Sequence, residues 1–223
     1  MEEGKKLFLR KIHVPKYMFS ILRNNRKFEL RGNRSFLRTD DEIQSIDKDE
    51  ADHAFKLYKK QYLDTLLKSK GFLKYKTNAY VRCNPVDVLE YIDLQKEKSG
   101  SRTFTVNYGL SALYIPHGFI NWDINERIGI LICNKDIWWD FANDTIAKAS
   151  FENVAKAIEE FVIPWFDARS NDDSIKKMLL DDREEYGWSR YKQAWLEAIV
   201  HRCNLSETIE ENIKLFRLPK SLS

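Results

Sequence analysis

The chain has 223 residues, 43% hydrophobic and 13% aromatic against 32% charged, a composition that supports a buried core and excludes wholesale disorder. Its net charge of +3 conceals an asymmetry: Lys5 to Arg38 holds eleven Lys/Arg and one acid, Glu29, a local balance of +10, so the rest sums to about −7. No apolar run approaches the roughly 20 residues that cross a bilayer, and Arg10 and Lys11 interrupt any signal-like start, so a cytoplasmic protein with no membrane partner is expected.

Short apolar groups between residues 5 and 46 predict short strands and a helical turn, with Phe8, Tyr17, Phe19, Phe28 and Phe36 interleaved among the cations. That pattern suits phosphate neutralisation with base stacking, and equally suits apolar anchors that fasten a basic extension to a domain. Asp47 followed by Glu50 reads as a capping box, and Phe55, Tyr58, Tyr62 and Leu66 share one helical face up to a stop at Gly71. Phe72 to Cys83 gives two short strands with a turn at Thr77-Asn78; Val88, Ile92 and Leu94 share one face of a third. From Phe104 the apolar residues fall on every second position through Tyr114, the pattern of a half-buried strand. Arg127 to Cys133 reads as a further, deep strand that runs into Trp138-Trp139, a pair placed to plug the junction between the sheet and its cover. Beyond it the period is helical: Val154 to Trp165 with a break near Pro164, then Ile175 to Leu179, Tyr191 to Ile199, and a last helix capped by Ser206. The fold class expected is α+β, an antiparallel meander preceded by one long helix and covered by C-terminal helices. A basic extension over 1–46, packed on or beside the domain, precedes a domain over 47–223 whose helical part begins near 150.

In this order the residues resemble the bacterial proteins catalogued as domain of unknown function 4304. The resemblance rests on Lys70-Gly71-Phe72, Tyr80-Val81-Arg82, Ile92-Asp93-Leu94-Gln95-Lys96, Phe104-Thr105-Val106-Asn107-Tyr108-Gly109, Arg127-Ile128-Gly129, Trp138-Trp139 and Phe161-Val162-Ile163-Pro164-Trp165-Phe166. It covers roughly Asp49 to Leu180. It supports the fold reading and implies no activity, cofactor or catalytic residue.

Asn107 and Gly109 lie opposite the apolar stripe of their strand, and Gln95 is polar inside a neighbouring one, so they either line a ligand groove or serve the backbone, with Gly109 permitting a bulge or close crossing. Arg127 either grips a carboxylate or phosphate or pairs with Asp123 or Asp140. The loop from Pro116 to Asn125 adds Asn121 and Trp122 as binding candidates, and His117 with Asp123 as the acid–base candidates, although no nucleophile accompanies them. His13, His53, His117 and His201 lack the spacing of two ligands on one helix, no Gly-rich phosphate loop is present, and Cys83, Cys133 and Cys203 read as free buried thiols. No cofactor or metal is expected. Gln95, Asn107, Arg127 and His117 are expected around one end of the sheet. The function expected is a non-enzymatic interaction or regulatory protein, of immunity type for example, that binds a protein partner through its sheet face. Nucleic-acid binding through residues 5–38 and an enzyme centred on the 117–127 loop stand as the alternatives.

Overall fold

The computed structural model describes residues 39–117, 122–180, 189–201 and 205–219. The strands expected within residues 5–38 lie outside them. A short helix α1 (Asp40–Gln44) opens the described chain with a true capping box, in which Thr39 Oγ1 accepts from the Glu42 amide and the Glu42 carboxylate accepts from the Thr39 amide. Asp47 caps α2 (Lys48–Tyr58) by accepting from the amides of Asp49 and Glu50, but Glu50 does not complete a box, because its carboxylate accepts instead from the Asp144 amide. The helix continues without a break through a π-helical segment, Lys59–Asp64, into α3 (Thr65–Ser69), and ends where Gly71 takes a φ of +82°. The buried Lys59 donates to the Thr77 carbonyl, tying the helix to the first hairpin turn.

Strands β1 (Leu73–Lys76), β2 (Ala79–Cys83), β3 (Val88–Lys96), β4 (Thr103–Ala112) and β5 (Ile124–Arg127) form an antiparallel meander in chain order. A two-residue β6 (Trp139–Asp140) joins the same edge of β4 beyond β5, at Thr103 and Phe104. One sheet face carries Tyr80, Val88, Ile92, Leu94, Phe104, Val106, Tyr108 and Leu110 into the main core, where Phe104 meets Phe55 of α2 edge-on and stacks on Phe151. Phe151 belongs to α5 (Asp144–Ala157), which runs through a second π-helical segment, Ile158–Val162, into α6 (Ile163–Asp167). Helices α7 (Asp172–Leu180) and α8 (Ser189–Val200) add Ile175, Met178, Leu179 and Trp195 to this core.

The opposite face is divided. Val81, Leu89, Tyr91 and Leu113 form a second apolar cluster closed by Phe216 and Leu218, at the end of α9 (Ser206–Phe216) and just beyond it. Asn212 of α9 fixes the contact by donating to the carbonyls of Leu113 and Ile115, at 2.7 Å each. β4 is buried at every position, not at alternate ones as its pattern predicts, although α9 covers only part of the second face.

Several expectations fail for identifiable reasons. The apolar run after Arg127 is not a strand: Ile128–Cys133 is a helix, α4, closed by Asn134 in the left-handed region. The outer edge of β4 is shared between β5 and β6, so the chain must leave the sheet after Arg127 and return at Trp139, and this tertiary demand overrides the β propensity of three isoleucines. Trp139 therefore sits in a strand and is fully buried, whereas Trp138 is half-buried. Pro164 does not break its helix; it occupies the first turn of α6, where its missing N–H is absorbed by the preceding π-helical register. Helix α9 begins at Ser206 but is preceded by Leu205, with no side-chain cap. Cys83 is partly accessible and Cys133 is exposed, so neither is a buried thiol. No described helix is long and apolar enough to cross a membrane.

Candidate functional site

The uncovered half of the second sheet face is polar. The register sets Asp93 opposite Asn107, Gln95 opposite Thr105, Arg127 opposite Asn107 and Asn125 opposite Gly109, so alternate residues of β3, β4 and β5 bring amides and charges side by side. They line a cleft of about 450 Å³ bounded by Gln95, Asn107, Asn125, Glu126, Arg127, Ile130 and Asp136. Asn107 stands at its centre and is only 8% exposed; its Nδ2 donates to Gln95 Oε1 at 3.1 Å and to Asp93 Oδ2 at 3.4 Å. Its Oδ1 accepts no hydrogen bond among the described residues. Burial pushes the Asp93 carboxyl above its ordinary range, against the opposing pull of the Asn107 amide.

The wall opposite Asn107 is built by the turn after α4. A Cβ on Gly129 would lie 2.8 Å from the Ile137 amide nitrogen and against the Lys135 carbonyl oxygen, so glycine lets the returning backbone pass directly over the helix. Asn134 supplies the positive φ that reverses the chain. Together they deliver Asp136 to Arg127, whose Nη1 donates to the carboxylate while its guanidinium lies over the Trp138 ring at 5.1 Å. Trp138 Nε1 donates to the same carboxylate at 3.0 Å. Arg127 is thus held in a fixed plane at the cleft margin, paired with Asp136 and not with Asp123 or Asp140 as the sequence suggested.

His117 and Asp123 lie elsewhere, at the far end of β4. Both are tied to Ala112: His117 Nε2 meets its carbonyl at 2.9 Å, and Asp123 Oδ2 accepts from its amide at 2.8 Å and from Ser111 Oγ at 3.3 Å. His117 Nδ1 and Asp123 Oδ1 face each other at 3.8 Å, each without another partner among the described residues. Burial lowers the His117 pKa and raises that of Asp123 to about 7. The imidazole is roofed by Phe216 and Tyr191, so the pair lies beneath α8 and α9 and does not open onto the cleft.

Of the residues singled out by sequence, the structure brings Gln95, Asn107 and Arg127 together, and separates His117 and Asp123 from them. Trp122 stacks on Tyr91 at 3.8 Å and closes the apolar half of the face. Asn121 lies outside the described residues. Gly109 makes room for that stack: a Cβ there would fall 2.8 Å from the Tyr91 hydroxyl and against the Ile124 carbonyl. Sequence reasoning missed Asn125, Glu126, Ile130 and Asp136 as lining residues. The available signal was an αL-tolerant Asn134 just after an apolar run containing Gly129, which marks a helix C-terminus.

Residues 63–168 match the family described as Domain of unknown function (DUF4304). The match runs from the first π-helical segment to the end of α6, a narrower span than the resemblance over Asp49 to Leu180, and contains all six strands and every residue of the cleft. No curated protein and no solved structure matches the chain.

Proposed function

We propose that this protein is a non-enzymatic interaction protein that holds a protein partner across the open, polar half of its sheet face. The observation that carries the reading is the cleft around Asn107, which side-chain amides of β3, β4 and β5 line beside the Arg127–Asp136 ion pair backed by Trp138. Amides of this kind match peptide groups and polar side chains, and their positions are fixed by a register that nine paired residues of β3 and β4 enforce. The groups with displaced titration that resemble acid–base machinery, His117 and Asp123, are packed beneath aromatic rings away from this cleft, which removes support from the enzyme alternative. Regulatory or immunity-type binding, in which the effect follows from occupying the partner, is the activity such a face can deliver.

The test is affinity capture from the source cells with three full-length baits: wild type, Asn107→Ala with Arg127→Ala, and a distant surface change, Leu180→Ala. A partner retained by wild type and the Leu180 variant but lost by the cleft variant supports the reading. A partner retained equally by all three, with the cleft variant folded, overturns it.

A further inference from the structure

His117 and Asp123 meet beneath the C-terminal helices through two atoms that accept and do not donate. The Ala112 carbonyl oxygen can only accept, so the His117 Nε2 that meets it at 2.9 Å carries the ring's hydrogen, and Nδ1 of the neutral imidazole is left as a lone pair. Asp123 Oδ2 takes the Ala112 amide and the Ser111 hydroxyl, which leaves Oδ1 of the carboxylate as a second acceptor. These two atoms face each other at 3.8 Å on side chains that are 0% and 1% exposed, and neither has another partner among the described residues. Facing lone pairs in a site this dry repel, whereas one proton between them makes a hydrogen bond.

Burial and the hydrogen bonds to Ala112 and Ser111 govern the titration of both groups. From β3, the Tyr91 phenol is the titratable group on which Asp123 acts, and burial holds that phenol above its ordinary range, so it stays neutral at the pH values concerned. Helix α8 presents the Tyr191 ring and α9 the Phe216 ring, 6.0 and 5.2 Å from the imidazole. Those rings stand where water must enter, or the imidazole must swing, to relieve a pair that has lost its proton. Helix α9 is fastened at the same place, by Asn212 to the Leu113 and Ile115 carbonyls and by the Tyr75 hydroxyl to the Phe216 carbonyl at 2.6 Å. Beneath it lie Val81, Leu89, Tyr91 and Leu113.

We propose that His117 and Asp123 form a proton-operated latch: sharing one proton they seat α9 on the sheet, and without it α9 lifts and uncovers the apolar half of the face beside the cleft. Burial raises the Asp123 carboxyl to about 7 in the closed state, and a hydrogen bond to Nδ1 carries it higher, so the closed pair keeps its proton through neutral pH. Once open, the groups return to their ordinary values, 3.8 for the carboxyl and 6.5 for the imidazole. Just below 6.5 the open pair also carries one proton, on the imidazole, and closure neither takes up nor releases one. Above 6.5 closure must draw its proton from solution, so each pH unit weakens the latch about tenfold until the closed pair empties too. The latch therefore loosens as pH rises through the neutral range.

The test follows the full-length protein between pH 6 and 8.5 with two readouts: the ¹³C shift of the Asp123 carboxyl, and amide-exchange protection factors, from which the intrinsic pH dependence of exchange is divided out. The expected result is that Asp123 titrates at about pH 7 or above. Protection in peptides from 206–218 then falls by about threefold for each half unit above 6.5 until that titration is complete, while peptides of β3 keep theirs. In Asp123→Asn, whose amide donates to Nδ1 with no proton to lose, the α9 peptides hold their protection across the range. An Asp123 carboxyl already ionised at pH 6 overturns the proposal. So does a titration near 7 that leaves α9 protection unchanged, or a loss of protection that the folded Asp123→Asn variant shares. Where that variant does not fold, the wild-type titration and exchange curves decide the question by coinciding or not.

Discussion

Replacing Trp139 by alanine is expected to destabilise the fold far more than replacing its neighbour Trp138. Trp139 has no exposed surface, its ring lies 6.3 Å from that of Phe104, and its Nε1 donates to Asn153 Oδ1 at 3.0 Å. Burying a side chain of this size removes roughly 150–250 Å² from water, about 4–6 kcal/mol at 25 cal/mol per Å². Truncations of buried aromatic residues cost about 3–5 kcal/mol, and we take about 4. Trp138 is half-buried; its truncation loses a hydrogen bond to the exposed Asp136 and a cation–π contact, together about 1 kcal/mol. Urea unfolding followed by far-UV circular dichroism gives both values without relying on tryptophan emission, which the substitutions themselves alter. Equal costs, or a larger one at Trp138, would refute the placement of β6 against β4.

Three further outcomes are expected. Gly109→Ala lowers the melting temperature sharply, by a destabilisation of about 3 kcal/mol or more, because the added methyl meets the Tyr91 ring at 2.6 Å and a backbone carbonyl; a neutral effect would mean that the Tyr91–Trp122 stack is not fixed. Burial raises the folded-state pKa values of Glu90 and Asp123 to about 7, above the ordinary 4.5 and 3.8, so their contribution to stability is fully present below about pH 4 and is lost as pH rises through 7. Asp123→Asn, whose amide can donate to His117 Nδ1 while its oxygen still accepts from Ala112, removes the Asp123 share, so the stability gap between variant and wild type must shift in the variant's favour between pH 4 and 7; a gap independent of pH would contradict the buried assignment. Arg127→Ala changes stability by less than about 1 kcal/mol, since both members of its ion pair are about two-fifths exposed, and its consequence is to be read in binding.

The fold was legible in the sequence wherever side-chain period and backbone demand agreed. The β1–β4 meander follows from period-two patterns and turn residues, and α2 from its Asp47 cap and apolar spacing. Ile128 to Cys133 was misread because local propensity there opposes topology: nothing in the run itself says that β4 has already committed its outer edge to two separate strands. The apolar cover beside the end of β4 was equally hidden, since it depends on α9 arriving from about one hundred residues away, where Asn212 donates to Leu113 and Ile115. For the site, Gln95, Asn107 and Arg127 were found because strand register alone aligns them. His117 was misplaced because the strand pattern does not show that it lies beyond Ala112, at the end of β4, against Phe216 of the C-terminal helix.

The claim that the open sheet face is the binding surface is tested most directly by amide hydrogen exchange of the full-length protein with and without its captured partner. The account predicts new protection in peptides covering 93–95, 105–107 and 124–136, with Arg127→Ala abolishing it. Protection confined to the outer faces of α2 and α5, with these peptides exchanging at their free rates, would contradict it.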